Sequence, residues 1–106
     1  MDLINIEDLR AICTPENFFI TIHAAERLKQ RGMALEDIIN SVLHGEIIEQ
    51  YPTDYPLPSC LILGKTVDQE TMHVVIGSDL LTMWIVTAYK PDKEKWDESF
   101  RTRKES

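Results

Sequence analysis

Long apolar runs are missing from this 106-residue sequence; none approaches the ~20 hydrophobic residues that a membrane-spanning helix needs. The opening MDLINIEDLR carries acids where a signal peptide carries bases, and it has no continuous apolar centre. The chain is therefore expected to stay in the cytoplasm. Cysteine is scarce. Cys13 and Cys60 are the only two, and in a reducing compartment both read as buried small hydrophobes rather than a disulfide. His23, His44 and His73 lie far apart, none with a second ligand at zinc-motif spacing, so no metal is expected. Glycine-rich phosphate loops, nucleophile elbows and tellingly spaced carboxylate pairs are lacking as well, and no cofactor is expected.

Bases are also in deficit. With 11 Lys and Arg against 18 Asp and Glu the net charge is -7, which argues against a generic nucleic-acid binder. The bases are concentrated, however. Nine of the eleven fall in two segments, Arg27, Lys29 and Arg31, then Lys90, Lys93, Lys95, Arg101, Arg103 and Lys104. A fold that joins these segments would still offer a local anion site.

What is present is ordinary globular material. A hydrophobic fraction of 43% is too rich for disorder, and the length suits one domain over 1–106 with a core in 18–100. Ile4 to Cys13 reads as a short first helix with Ile6, Leu9 and Cys13 on one side, broken by Thr14-Pro15-Glu16-Asn17. Phe18-Phe19-Ile20 is a brief extended segment. Thr21 then caps a second helix that runs to Gln30 or Arg31 and stops at Gly32. A third helix places Leu35, Ile38, Ile39, Val42 and Leu43 on one buried stripe.

From Glu46 the period becomes that of strands: Glu46 to Tyr51, Ser59 to Gly64, Thr71 to Gly77 and Leu81 to Tyr89. Short connections make these antiparallel neighbours, with a stiff loop imposed by Pro52, Pro56 and Pro58. Lys93 to Arg103 reads as a terminal helix with Trp96 and Phe100 packing at i, i+4. The fold class is α+β: N-terminal helices, a four-stranded antiparallel sheet and a short C-terminal helix. Leu61, Leu63, Val74, Ile76, Ile85 and Val86 are expected to be buried with the third helix.

The second helix carries the chemistry worth weighing. Ile22, Ala25 and Leu28 form one face, while His23, Arg27 and Arg31 make an i, i+4, i+8 ridge on the opposite side. An imidazole with two guanidiniums suits a phosphodiester: the imidazole moves a proton and the arginines hold the phosphate and its developing charge. The plain alternative is a solvated polar face, the default opposite an apolar stripe. Tyr89, at the end of the longest strand, is a candidate acid, base or stacking platform, or simply an amphipathic edge residue. Lys90 follows it as a further phosphate ligand. His73 reads as a satisfied sheet histidine and Trp84 as core.

The run Thr21-x-His23-Ala24-x-x-Arg27-x-x-x-Arg31-Gly32 is followed by Glu36-Asp37-Ile38, Gly45-Glu46-Ile47-Ile48-Glu49, Pro58-Ser59-Cys60-Leu61, His73-Val74-Val75 and Thr87-Ala88-Tyr89-x-Pro91. Together they resemble an uncharacterised bacterial family known only as a domain of unknown function, from about Phe19 to Trp96. More distantly, the element order is similar to that of the RelE and BrnT toxins of toxin–antitoxin systems, whose sheets resemble that of barnase and which cut RNA without a metal. The resemblance implies a RelE/barnase-like fold, RNA as a ligand and an antitoxin protein as a partner. It carries over no residue position by position.

Overall fold

The switch from helical to alternating periodicity falls at Gly45, and the computed structural model, which describes residues 3–104, divides there. Before it lie α1 (Ile6–Ala11), a 3-10 turn (Pro15–Asn17), β1 (Phe18–Ile20), α2 (Ile22–Gln30) and α3 (Leu35–His44). After it come β2 (Glu46–Tyr51), β3 (Ser59–Lys65), β4 (Thr71–Ser78) and β5 (Met83–Tyr89). The class is α+β, with the expected three α-helices.

The sheet differs in detail from the expectation. It has five strands in the order β1-β5-β4-β3-β2 and is mixed, not four-stranded and antiparallel. Strands β2 to β5 form the expected antiparallel meander. β1 adds a parallel edge, with Phe18 opposite Met83 and Ile20 opposite Ile85. Three residues show no alternation to read, and a parallel partner far along the chain leaves no turn signal between the two.

The second difference is the C-terminus, where Pro91 to Lys104 forms turns and a short bridge instead of a helix. Asp92 accepts from the backbone of Glu94 at 2.8 Å, and Asp97 from Ser99 Oγ at 2.9 Å and the backbone N–H of Arg101 at 3.1 Å. Carboxylates that bind the backbone two to four residues on offer it an alternative to the helix. Phe100 sits at φ 60°, which ends any helical run, and Trp96 bridges to Arg103.

One face of the sheet makes the core. Cys60, Ile62, Met72, Val74, Ile76, Met83, Ile85 and Ala88 pack against Leu9, Leu28, Met33, Ile38 and Val42 from the helices. Cys60 is buried as expected and Cys13 is half-buried against the core; both thiols are free. The α3 stripe is narrower than its spacing suggests, since Ile38 and Val42 are fully buried whereas Leu35 and Leu43 are exposed and Ile39 half-buried. Leu63 is half-buried and Val86 exposed, against expectation. Val86 is the extra residue at a bulge, because Ile76 pairs with Ile85 and Val75 with Thr87.

Helix α2 starts and stops as expected, with Thr21 Oγ1 accepting from the Ala24 N–H at 3.1 Å and Gly32 at φ 69°. Its buried side is corrected to Ala24 and Leu28, while Ile22 stands 77% exposed. Ile22 and Ala24 lie roughly 160° apart around the axis, so burying one exposes the other.

Helix α3 lies across β3, close enough that only glycine fits below it at Gly64. A Cβ on Gly64 would stand 2.3 Å from Ser41 Cβ and 2.6 Å from Ser41 Cα. Gly64→Ala is therefore expected to cost about 1–3 kcal/mol by pushing α3 off the sheet. A chemical melt reads the loss, and Ser41→Gly in the same chain should restore part of it.

Candidate functional site

Alternation places the partners of the core residues on the other face, so His73, Thr87 and Tyr89 share a face with Glu49 and Tyr51. A bulge at Ile48 puts Glu49 opposite Leu61 and Tyr51 opposite Ser59. The C-terminal turns lie over this group. Trp96, 3% exposed, meets the His73 ring edge-on at 4.5 Å. Arg103 lies 4.7 Å above the Trp96 ring and donates to both oxygens of Glu49, at 3.1 and 3.2 Å. Tyr51 donates to the same carboxylate.

The protonation of His73 follows from its partners. Its Nε2 lies 2.9 Å from the carbonyl oxygen of Phe100, which can only accept, so Nε2 carries the proton and donates it. Nδ1 is then an acceptor, and the Tyr89 hydroxyl, 3.3 Å away, donates to it. Burial lowers the His73 pKa below its ordinary 6.5, against the opposing influence of the Phe100 carbonyl and the Glu49 charge. The ring is fully buried and neutral, the satisfied sheet histidine that its alternation suggests.

Burial also raises Tyr89 above the ordinary phenol value and, with the Glu49 hydrogen bond, pushes Tyr51 up to about 12. Burial works to raise Glu49 too, but the hydrogen bonds from Arg103 and Tyr51 and the Arg103 charge outweigh it, leaving the carboxyl below its usual range.

A pH dependence follows. The unfolded chain binds a proton on His73 near pH 6.5 while the folded chain resists it, so stability is present above that value and falls as the pH drops below it. Denaturant midpoints measured from pH 7.5 to 5 are expected to decline, by at most ~1.4 kcal/mol per pH unit for one proton. His73→Gln, which keeps a donor and an acceptor, should flatten the decline. A wild-type midpoint independent of pH would mean His73 is not buried neutral.

The residues expected to form a site are only partly brought together. Arg31 swings onto the sheet, its Nη1 donating to Ala88 O at 2.6 Å and Thr87 Oγ1 at 3.2 Å. β1 covers β5 only as far as Ile85, and the Arg31 guanidinium caps the carbonyl left open beyond it. Tyr89 lies two residues further along β5, on the Thr87 side. His23 and Arg27 remain exposed on the same ridge of α2, which packs along β5.

Lys90 forms an ion pair with Glu70 and lines a groove with Glu36, Asp37 and Asp68. Trp84 is corrected: it is 40% exposed, because Met83 and Ile85 take the core side of β5. Glu49 and Tyr51 carried a legible signal in their i, i+2 spacing, whereas the placement of Arg103 over them had none.

A family profile described as Domain of unknown function (DUF4258) matches residues 20–90, and the chain belongs to that family. No curated protein and no solved structure matches it.

Proposed function

For this member of a family without an assigned activity, we propose a RelE/BrnT-like, metal-independent endoribonuclease domain, held in check by an antitoxin-type protein partner. The observation that carries the reading is the docking of Arg31 on Thr87 and Ala88, which sets the helix ridge beside the strand that presents Tyr89. Arg31 then shares the edge of β5 with Tyr89, and an RNA strand laid along the ridge would meet Arg27 and His23 further back on α2.

In the proposed reaction an RNA 2′-oxygen attacks the adjacent phosphorus. The O2′–P bond forms and the P–O5′ bond breaks, leaving a 2′,3′-cyclic phosphate and a 5′-hydroxyl. His23 takes the proton from O2′. Arg27 and the Nη2 edge of Arg31, which makes no hydrogen bond among the described residues, hold the phosphate oxygens as charge develops. Tyr89 turns its O–H away from His73 Nδ1 when substrate enters and gives that proton to O5′. His73 touches no substrate in this scheme; it is a positioning residue that orients the phenol.

A second reading, a non-catalytic protein-binding module, is favoured by the exposure of His23 and Arg27 with no side-chain hydrogen bond to the Tyr89–His73 pair among the described residues. One experiment separates the two. Purified chain is incubated with short RNAs in excess chelator and the product ends are analysed, alongside growth after expression of the chain alone. Cleavage to cyclic-phosphate ends, abolished by His23→Ala in a chain that melts normally, is the expected result. Intact RNA and normal growth would leave the binding module standing.

A further inference from the structure

The outward face of the sheet continues past Thr87 to an aromatic pair that the site does not use. Phe19 of β1 and Trp84 of β5 stand opposite each other, with ring centroids 4.9 Å apart and planes inclined by 23°. Both are about two-fifths exposed, in contrast to Trp96, which is buried. Cross-strand pairing puts Trp84 beside Gly77 and Tyr89 beside His73, two positions of β4 that share a face. Trp84, Thr87 and Tyr89 therefore line one track. Arg31 lies at its edge midway, and Arg27 one helical turn back.

The charge beside this track is concentrated. Acids outnumber bases 18 to 11, yet Arg27, Lys29 and Arg31, three of the seven bases that form no ion pair among the described residues, stand together on one helix. Exposed aromatic rings with unneutralised cations along one side match a single nucleic-acid strand, whose bases stack and whose phosphates need counter-charge. An aliphatic partner surface would need neither.

We infer that the Phe19–Trp84 pair is a base-stacking subsite for single-stranded RNA, with Arg27 and Arg31 following its backbone toward Tyr89. This rests on the ribonuclease reading for its polarity but not for its binding chemistry. From Trp84 to Tyr89 the strand covers roughly 15 Å, the rise of about four stacked nucleotides. A dinucleotide at Tyr89 would not reach the platform, and a hexanucleotide would.

The test uses the full chain and 2′-O-methyl oligonucleotides, which cannot be cut by 2′-oxygen attack. A 2′-O-methyl hexanucleotide is expected to quench tryptophan emission, because Trp84 is the accessible indole, and a dinucleotide or inorganic phosphate is not. Trp84→Leu, with its fold checked by melting, should weaken hexanucleotide binding roughly ten-fold. Arg27→Ala should lower the slope of log affinity against log salt by about 0.7. With cleavable RNA, Trp84→Leu should raise KM for the hexanucleotide and leave kcat and dinucleotide cleavage unchanged.

The outcomes separate the two proposals. Quenching and Trp84→Leu sensitivity without cleavage uphold the platform and overturn the ribonuclease. Cleavage that ignores Trp84→Leu, with no change in emission, overturns the platform alone. If the hexanucleotide neither binds nor is cut, both fall, and a protein is the occupant to seek.

Discussion

Ile38→Ala is expected to destabilise the chain by ~2–5 kcal/mol, the largest stability loss of any single truncation on α3. Ile38 is fully buried, and it joins α3 to the sheet residues Ile62, Val74 and Ile76 in one cluster. Removing three carbons there forfeits their transfer energy and leaves a cavity that surrounding strands cannot close. Ile39→Ala, one position along on a half-buried side, should cost visibly less. Arg27→Ala, with an exposed head group, should fall within about 0.5 kcal/mol of wild type. Guanidinium unfolding of the three variants orders them directly. If Ile39→Ala equals Ile38→Ala, the narrow α3 stripe is wrong; if Arg27→Ala equals either, Arg27 is structural.

Tyr89→Phe should lower RNA cleavage about 10²–10⁴-fold in kcat, the range for loss of a positioned general acid. The phenol suits that role. Burial holds it protonated through neutral pH, and His73, its tautomer set by the Phe100 carbonyl, holds the hydroxyl on Nδ1 until it turns to the leaving oxygen. The substitution keeps the ring and removes one hydrogen bond, so its stability cost should stay near ~1 kcal/mol. His73→Gln tests the positioning role separately: it should reduce kcat with little change in KM and shift the alkaline limb of the pH profile, which a merely structural histidine would not do. Tyr89→Phe with undiminished cleavage would remove Tyr89 from the chemistry. Its only part would then be to satisfy a buried histidine.

The sequence by itself determined whatever depends on neighbours in the chain. The caps and stops of α2 and α3, the change of period at Gly45 and the antiparallel meander all came from local spacing, turn chemistry and short connections. So did the segregation of bases into two segments and the internal role of His73. Tertiary structure decided what depends on distant partners. β1 became a strand only by pairing with β5, and that pairing aligned Phe19 with Trp84. Leu28 and Arg31 facing β5 set the rotation of α2, turning Ile22 out despite its hydrophobicity. The tail lost its helix to aspartate-centred turns and laid Trp96 and Arg103 over Glu49 and His73. Helical and strand periodicity can say that a residue has a polar or an apolar side. They cannot say which element will meet it, because that choice is made by packing energy summed over the whole chain.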